Sequence, residues 1–164
     1  MLSVDSVYNL INFQIVVTPI LTIDDFSNGL IIAFGISNTI NEQVIGELFD
    51  KLEQVMKNNN LEMNFDTVIL DSCDSCINYF DRINKNIQIC RFHFIKAVFQ
   101  YVEKEHSDDE TIAKIKGLIY RLIITRNENE YTVYLDKMHN VFSSSFYNYF
   151  IQQWDSKRYM ETNE

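Results

Sequence analysis

The sequence predicts an α/β fold: a mixed five-stranded sheet, three antiparallel strands followed by two parallel strands with crossover helices, and then a C-terminal helical region. Three observations point there. The front third is a succession of apolar, β-branched runs broken by turn residues. From Val44 the apolar period changes to that of a helix. The stretch from FDTVILD to CRFHFIKAV then reads strand, helix, strand, helix, and consecutive strands joined through helices lie parallel. Residues 1–105 are expected to form the sheet-bearing core and 106–164 a helical extension packed on it, as a single domain.

Each element has its own signal. LSVDSVY alternates loosely as a first strand. FQIVVTPILTI and GLIIAFGI form a hairpin around DDFSNG, where Asn28-Gly29 is a turn signal. Pro19, the only proline, cannot donate to a ladder and suggests an edge strand or a bulge. Thr39-x-x-Glu42 is a capping box ahead of Val44, Ile45, Leu48, Leu52, Val55 and Met56, a helix that stops in Asn58-Asn59-Asn60. FDTVILD is a buried-type strand, Cys73 to Arg82 a short helix, and NIQIC the next strand. Phe92, Ile95, Val98, Phe99 and Val102 mark one face of the helix that follows. Ser107-x-x-Glu110 and Asn127-x-x-Glu130 begin two more helices. Ser145 to Trp154 gives a last, aromatic one.

Composition narrows the function classes. At 164 residues, 46% apolar and 13% aromatic, the chain can bury a real core, which excludes disorder. Its longest apolar runs fall well short of the roughly 20 residues a membrane-spanning helix requires. MLSVDSVYNL has neither the basic group nor the apolar block of a signal peptide. A nuclear or cytoplasmic, non-secreted protein with reduced thiols is therefore expected, as the odd cysteine count suggests. A net charge of −9 opposes nonspecific nucleic-acid affinity, which is driven largely by cation contacts to phosphate. Basic residues do cluster at Arg82, Lys85, Arg91 and Lys96, and again at Lys114, Lys116, Arg121 and Arg126, where they read as solvated helix faces.

Two carboxylates stand out. Asp71 ends a strand of the parallel pair, the position where open α/β sheets hold ligands, although a helix N-cap would look the same. Asp5 sits in the first strand, where aspartate is depleted, and solvent exposure near the terminus would also explain it. If the first strand lies beside FDTVIL, the two acids converge into a hard-oxygen site suited to Mg2+ or Mn2+. A second constellation is Cys73-x-x-Cys76, thirteen residues, then Cys90-x-x-His93, a spacing that would satisfy tetrahedral Zn2+. Against it, Cys73 and Cys76 open a predicted helix and cysteines are often simply small buried side chains, while His93 reads as an exposed polar residue beside the apolar stripe. His106 and His139 stand alone. A Cys90 and His93 nucleophile pair would lie three residues apart on one helix end without an evident orienting acid, which counts against it. Neither a phosphate loop nor a G-x-S-x-G turn is present, and glycine occurs only four times.

The order of these features resembles the catalytic domain of Mutator-like (MULE) transposases, an RNase H-like fold. LSVDSVYNL is similar to the family's first strand and its catalytic aspartate, at Asp5. VVTPILTIDDFSNGLIIAFGISN is similar to the second and third strands, and VILDSCDSCINYF to the fourth strand and its helix, with Asp71 as the second catalytic aspartate. CRFHFIKAV resembles the family's Cys-x-x-His element, here Cys90 and His93, and FYNYFIQQW the aromatic segment after the helical insertion. The resemblance implies cleavage and transfer of DNA strands at transposon ends by an Asp-Asp-Glu triad with Mg2+ or Mn2+. The family's glutamate motif has no counterpart around Glu161 or Glu164, so the implied domain is a truncated or inactive fragment of a transposable-element protein. A zinc-binding, non-catalytic interaction module derived from a transposase is the alternative.

Overall fold

The structure is a computed structural model that describes residues 1–8, 15–24, 28–125 and 127–155. The chain divides into two compact units, one spanning Met1–Cys90 and the other beginning at Arg91. The central residues of the DDFSNG turn lie outside the described residues, as do Arg126, Glu161 and Glu164.

The first unit is the α/β part. Its strands are β1 (Leu2–Val4), β2 (Val7–Tyr8), β3 (Val16–Ile23), β4 (Gly29–Ser37), β5 (Thr67–Leu70) and β6 (Asn86–Ile89), with helices α1 (Glu42–Asn58) and α2 (Asp74–Arg82) among them. β3 pairs antiparallel with β4 on one side. On its other side it pairs antiparallel with β1 through Ile20 to Thr22 and with β2 through Val16 and Val17, so β1 and β2 are two segments of one line. β1 pairs parallel with β5, and β5 parallel with β6. The sheet is therefore mixed, ordered β4-β3-β1-β5-β6 with β2 continuing β1.

Proline explains the interruption: of the edge strand or bulge expected at Pro19, the structure has no edge there but does have an irregularity beside it. Pro19 lies on β3, an interior strand, one residue before a register irregularity at Ile20/Leu21. Its carbonyl accepts from Asp5 N–H at 3.3 Å. In an antiparallel ladder a residue's N–H and C=O point to the same neighbour, so the donor that proline lacks is missing opposite Asp5 and Ser6. The first strand breaks there, and Asp5 occupies the break rather than the middle of a strand.

One face of the sheet carries the core. Leu2 and Val4 of β1, Ile20 of β3, Val68 and Leu70 of β5 and Ile87 of β6 are buried together. Alternate residues of a strand face alternate sides, which is why these period-2 positions meet Ile45 and Phe49 of α1 and Cys76, Ile77 and Phe80 of α2. Phe80 meets Phe49 edge-on at 5.0 Å and Phe65 at 6.3 Å. Gly35 of β4 lets α1 approach closely, since a Cβ there would meet Leu48 Cδ2 at 2.7 Å. β4 carries exposed apolar residues, among them Phe34 and Ile36, the latter 74% exposed.

Both helices of this unit end the same way. Asn60 and Asn84 take left-handed conformations (φ 56° and 53°), which asparagine tolerates better than most residues. Leu61 N–H donates to Met56 O and Asn60 N–H to Lys57 O; Lys85 and Asn84 repeat the pattern on Phe80 and Asp81. These paired bonds satisfy the last carbonyls and turn the chain toward the next strand. At the front of α1 the cap is Asn41, whose side chain accepts from Val44 N–H at 2.9 Å, and not Thr39.

The second unit is helical, comprising α3 (Arg91–Glu105), α4 (Asp109–Ile124), α5 (Glu128–Val141), α6 (Ser144–Phe150) and a π-helical turn, Ile151–Asp155. Asp108 caps α4 in place of Ser107, Asn127 caps α5 as its spacing predicts, and Ser143 caps α6 two residues ahead of the expected start. Phe142 stacks on Phe146 at 4.3 Å, Tyr101 on Tyr149 at 4.6 Å, and Phe94 meets Trp154 edge-on at 4.7 Å, so the terminal aromatics pack among these helices. Phe92, expected on the buried stripe of α3, is 68% exposed, whereas Val98 and Val102 are buried. Glu105 accepts from Ser143 Oγ at 2.5 Å and Ser145 Oγ at 2.9 Å, tying the end of α3 to the start of α6. Among the described residues no helix is long and apolar enough to cross a membrane.

Two expectations follow from this packing. Phe80→Ala, which empties a fully buried ring site, should lower unfolding free energy by about 3–5 kcal/mol, read by denaturant titration. The hydrogen bond from Ser143, with that from Ser145, holds the Glu105 carboxyl below the ordinary glutamate value. A carboxyl depressed on folding contributes stability that is present above the unfolded pKa of about 4.3 and lost as pH falls through the lower folded value. The stability difference between the wild type and Glu105→Gln should therefore be largest above about pH 4.3 and shrink toward lower pH, measured as denaturation midpoint against pH.

Candidate functional site

The carboxyl ends of the parallel strands bring the sequence-predicted acids together along the backbone. Val4 of β1 pairs with Leu70 of β5, and Leu70 pairs with Ile89 of β6. The next residues are Asp5, Asp71 and Cys90, so three neighbouring strands end in step with two acids side by side and a thiol beyond them. Neighbouring strands run about 4.8 Å apart, close enough for two carboxylates that leave adjacent ends to serve one ligand.

Each acid is held by its own turn. Asp5 Oδ1 accepts from Ser6 N–H at 2.7 Å while its backbone N–H remains bonded to Pro19, which fixes the residue at the strand break. Ser6 Oγ lies 3.2 Å from Oγ1 of Thr18, a buried polar side chain of β3, which anchors the same turn from below. Asp71 Oδ1 accepts from Cys73 N–H at 3.0 Å, closing an Asx turn between β5 and α2. Asp71 is thus not the helix cap: Cys73 occupies that position, and α2 starts at Asp74. Both aspartates are half-buried. Ser6 and Thr18 were not among the residues singled out by sequence, because a hydroxyl under a turn leaves no periodic signature.

The cysteines share this end of the unit. Cys73 is half-buried at the N-cap and Cys76 is buried in the first turn of α2; all three cysteines are free thiols. A hydrogen bond from the Cys76 thiol lowers the Cys73 thiol to about 6, against opposing effects of partial burial and the Asp71 charge. The same pairing, with burial, pushes the Cys76 thiol up. Cys90 N–H donates to Leu70 O at 2.5 Å, which places its backbone beside the β5 end. His93 lies on α3 in the second unit, half-buried and edge-on to Phe92 at 5.5 Å, in contrast to the exposed position expected for it. Among the described residues no group of three or more His, Cys, Asp or Glu side chains is arranged to hold a metal ion.

The Asx turn has a measurable consequence. Asp71→Ala removes the acceptor of Cys73 N–H and should cost about 1 kcal/mol of stability, whereas Asp71→Asn keeps an acceptor oxygen and should stay within about 0.5 kcal/mol of the wild type in the same denaturant titration. No protein-family model and no curated protein matches the chain.

Proposed function

We propose that the chain is an RNase H-like core related to the catalytic domain of Mutator-like transposases, and that Asp5 and Asp71 form its divalent-cation site. The observation that carries this reading is the parallel register of β1 with β5, in which aligned residues Val4 and Leu70 each precede an aspartate. The strand order β4-β3-β1-β5-β6, with the two outermost strands on the β4 side antiparallel to their neighbours, supports the RNase H-like assignment. The donor chemistry fits the cation: carboxylate oxygens are hard ligands, suited to Mg2+ or Mn2+.

In two-metal sites of this kind, bound cations supply activation of water or a 3′-hydroxyl and stabilisation of the leaving oxygen of a DNA strand. The residues of this chain have simpler tasks. Asp5 and Asp71 present their oxygens from fixed strand ends, and the turns through Ser6 and Cys73 restrain how far those oxygens wander. The family's third acid corresponds to no described residue, so the reading is a cation-binding core that cuts DNA poorly by itself. The net charge of −9 accords with weak DNA affinity for the chain alone.

Millimolar Mg2+ should shift the amide resonances of Asp5 and Asp71 saturably and leave those of α4 and α5 in place. Asp71→Asn should abolish both shifts while the fold is retained. Absence of the shifts in the wild type, or their survival in the variant, would remove the basis for the cation site.

A further inference from the structure

Cys73 and Cys76 have an arrangement that the cation reading does not use. They occupy the N-cap and the third residue of α2, one turn apart at a helix N-terminus. Residues three apart at a helix N-terminus lie on the same side of the helix, so the two thiols share one face of the first turn of α2. Their exposures are unequal: Cys73 is half-buried and reachable, whereas Cys76 is 2% exposed. The backbone between them is already the first turn of a helix, which positions a buried thiol directly behind an accessible one.

We infer that Cys73 and Cys76 form a reversible dithiol–disulfide site whose oxidant is a small-molecule disulfide such as oxidised glutathione. This inference goes beyond the proposed function and does not depend on it. The accessible Cys73 sulfur, having given up its proton, attacks one sulfur of the oxidant. The oxidant's S–S bond breaks, the departing thiolate takes up a proton, and Cys73 carries a mixed disulfide. Cys76 then attacks the Cys73 sulfur, its own proton passing to the second departing thiolate. Two protein thiols are oxidised to one disulfide and one small disulfide is reduced to two thiols. Cys76 acts as the resolving partner because its burial keeps the oxidant away while leaving Cys73 within reach.

The bridge would form directly beneath Asp71, whose side chain accepts from the Cys73 backbone. Oxidation is therefore also expected to move the amide resonance of Asp71 in the absence of any metal. Cys90, on the neighbouring strand end, has no thiol one helical turn away and stays reduced.

The test is oxidation of the folded 164-residue chain with oxidised glutathione, followed by thiol counting and peptide mapping. The three free thiols should fall to one, with Cys73 joined to Cys76, Cys90 unmodified, and full return to three on addition of dithiothreitol. Cys76→Ser should stop at the mixed disulfide on Cys73, and Cys73→Ser should not react. Wild-type mapping decides the matter even if a variant folds poorly. Three thiols persisting in the folded chain, glutathione found on Cys90 instead, or a bridge that forms only in denaturant would each overturn the inference.

Discussion

Three residue pairs, Leu2 with Val68, Ser3 with Ile69 and Val4 with Leu70, hold the first unit in its arrangement. They join segments separated by the whole hairpin and α1, and such a closure is favourable only when it buries enough apolar surface to offset the lost chain entropy. It does so because Leu2, Val4, Val68 and Leu70 all present to one face and meet the aromatic cluster around Phe80. Shifting β1 by one residue against β5 would turn Leu2 and Val4 to the opposite side. The hydrophobic core therefore sets the register, and the register sets which residues stand at the strand ends.

Chemistry and packing thus occupy opposite sides of one boundary. Up to Val4 and Leu70, alternate residues of the two strands are apolar and buried. One residue later they are acidic and held by local turns. The transition is abrupt because both strands lose their ladder at that point, one opposite the proline of β3 and the other at the Asx turn into α2. Rigid strands behind and short turns in front leave each carboxylate little freedom, which is the condition a cation-binding pair needs.

Much of this architecture was legible in the residues. Apolar spacing identified the helices, and the alternation of strand and helix from Phe65 onward identified the parallel pair, because both periodicities reflect a buried face. Asn127 was readable as a cap because Asn127-x-x-Glu130 has capping-box spacing, and the structure keeps it there. Thr39 and Ser107 were misplaced as caps because Asn41 and Asp108 lie close by with equally capable side chains, and backbone geometry chose between them. Pro19 was read as marking an edge strand or a bulge; it lies on an interior strand, beside the register irregularity at Ile20/Leu21. Its interior place depends on a break in a different strand, a non-local fact that no window around Pro19 contains. The convergence of Asp5 with Asp71 was legible only as a conditional, since strand neighbours follow from tertiary pairing.

The alignment of Asp5, Asp71 and Cys90 is produced by pairings that all lie within Met1–Cys90. Among the described residues nothing from Arg91 onward enters those ladders. Insertions or deletions among the later helices would consequently leave the acid-bearing rim in step, so the two parts of the chain can diverge at different rates: the front constrained residue by residue, the rear free to lengthen or be remodelled as its own packing allows.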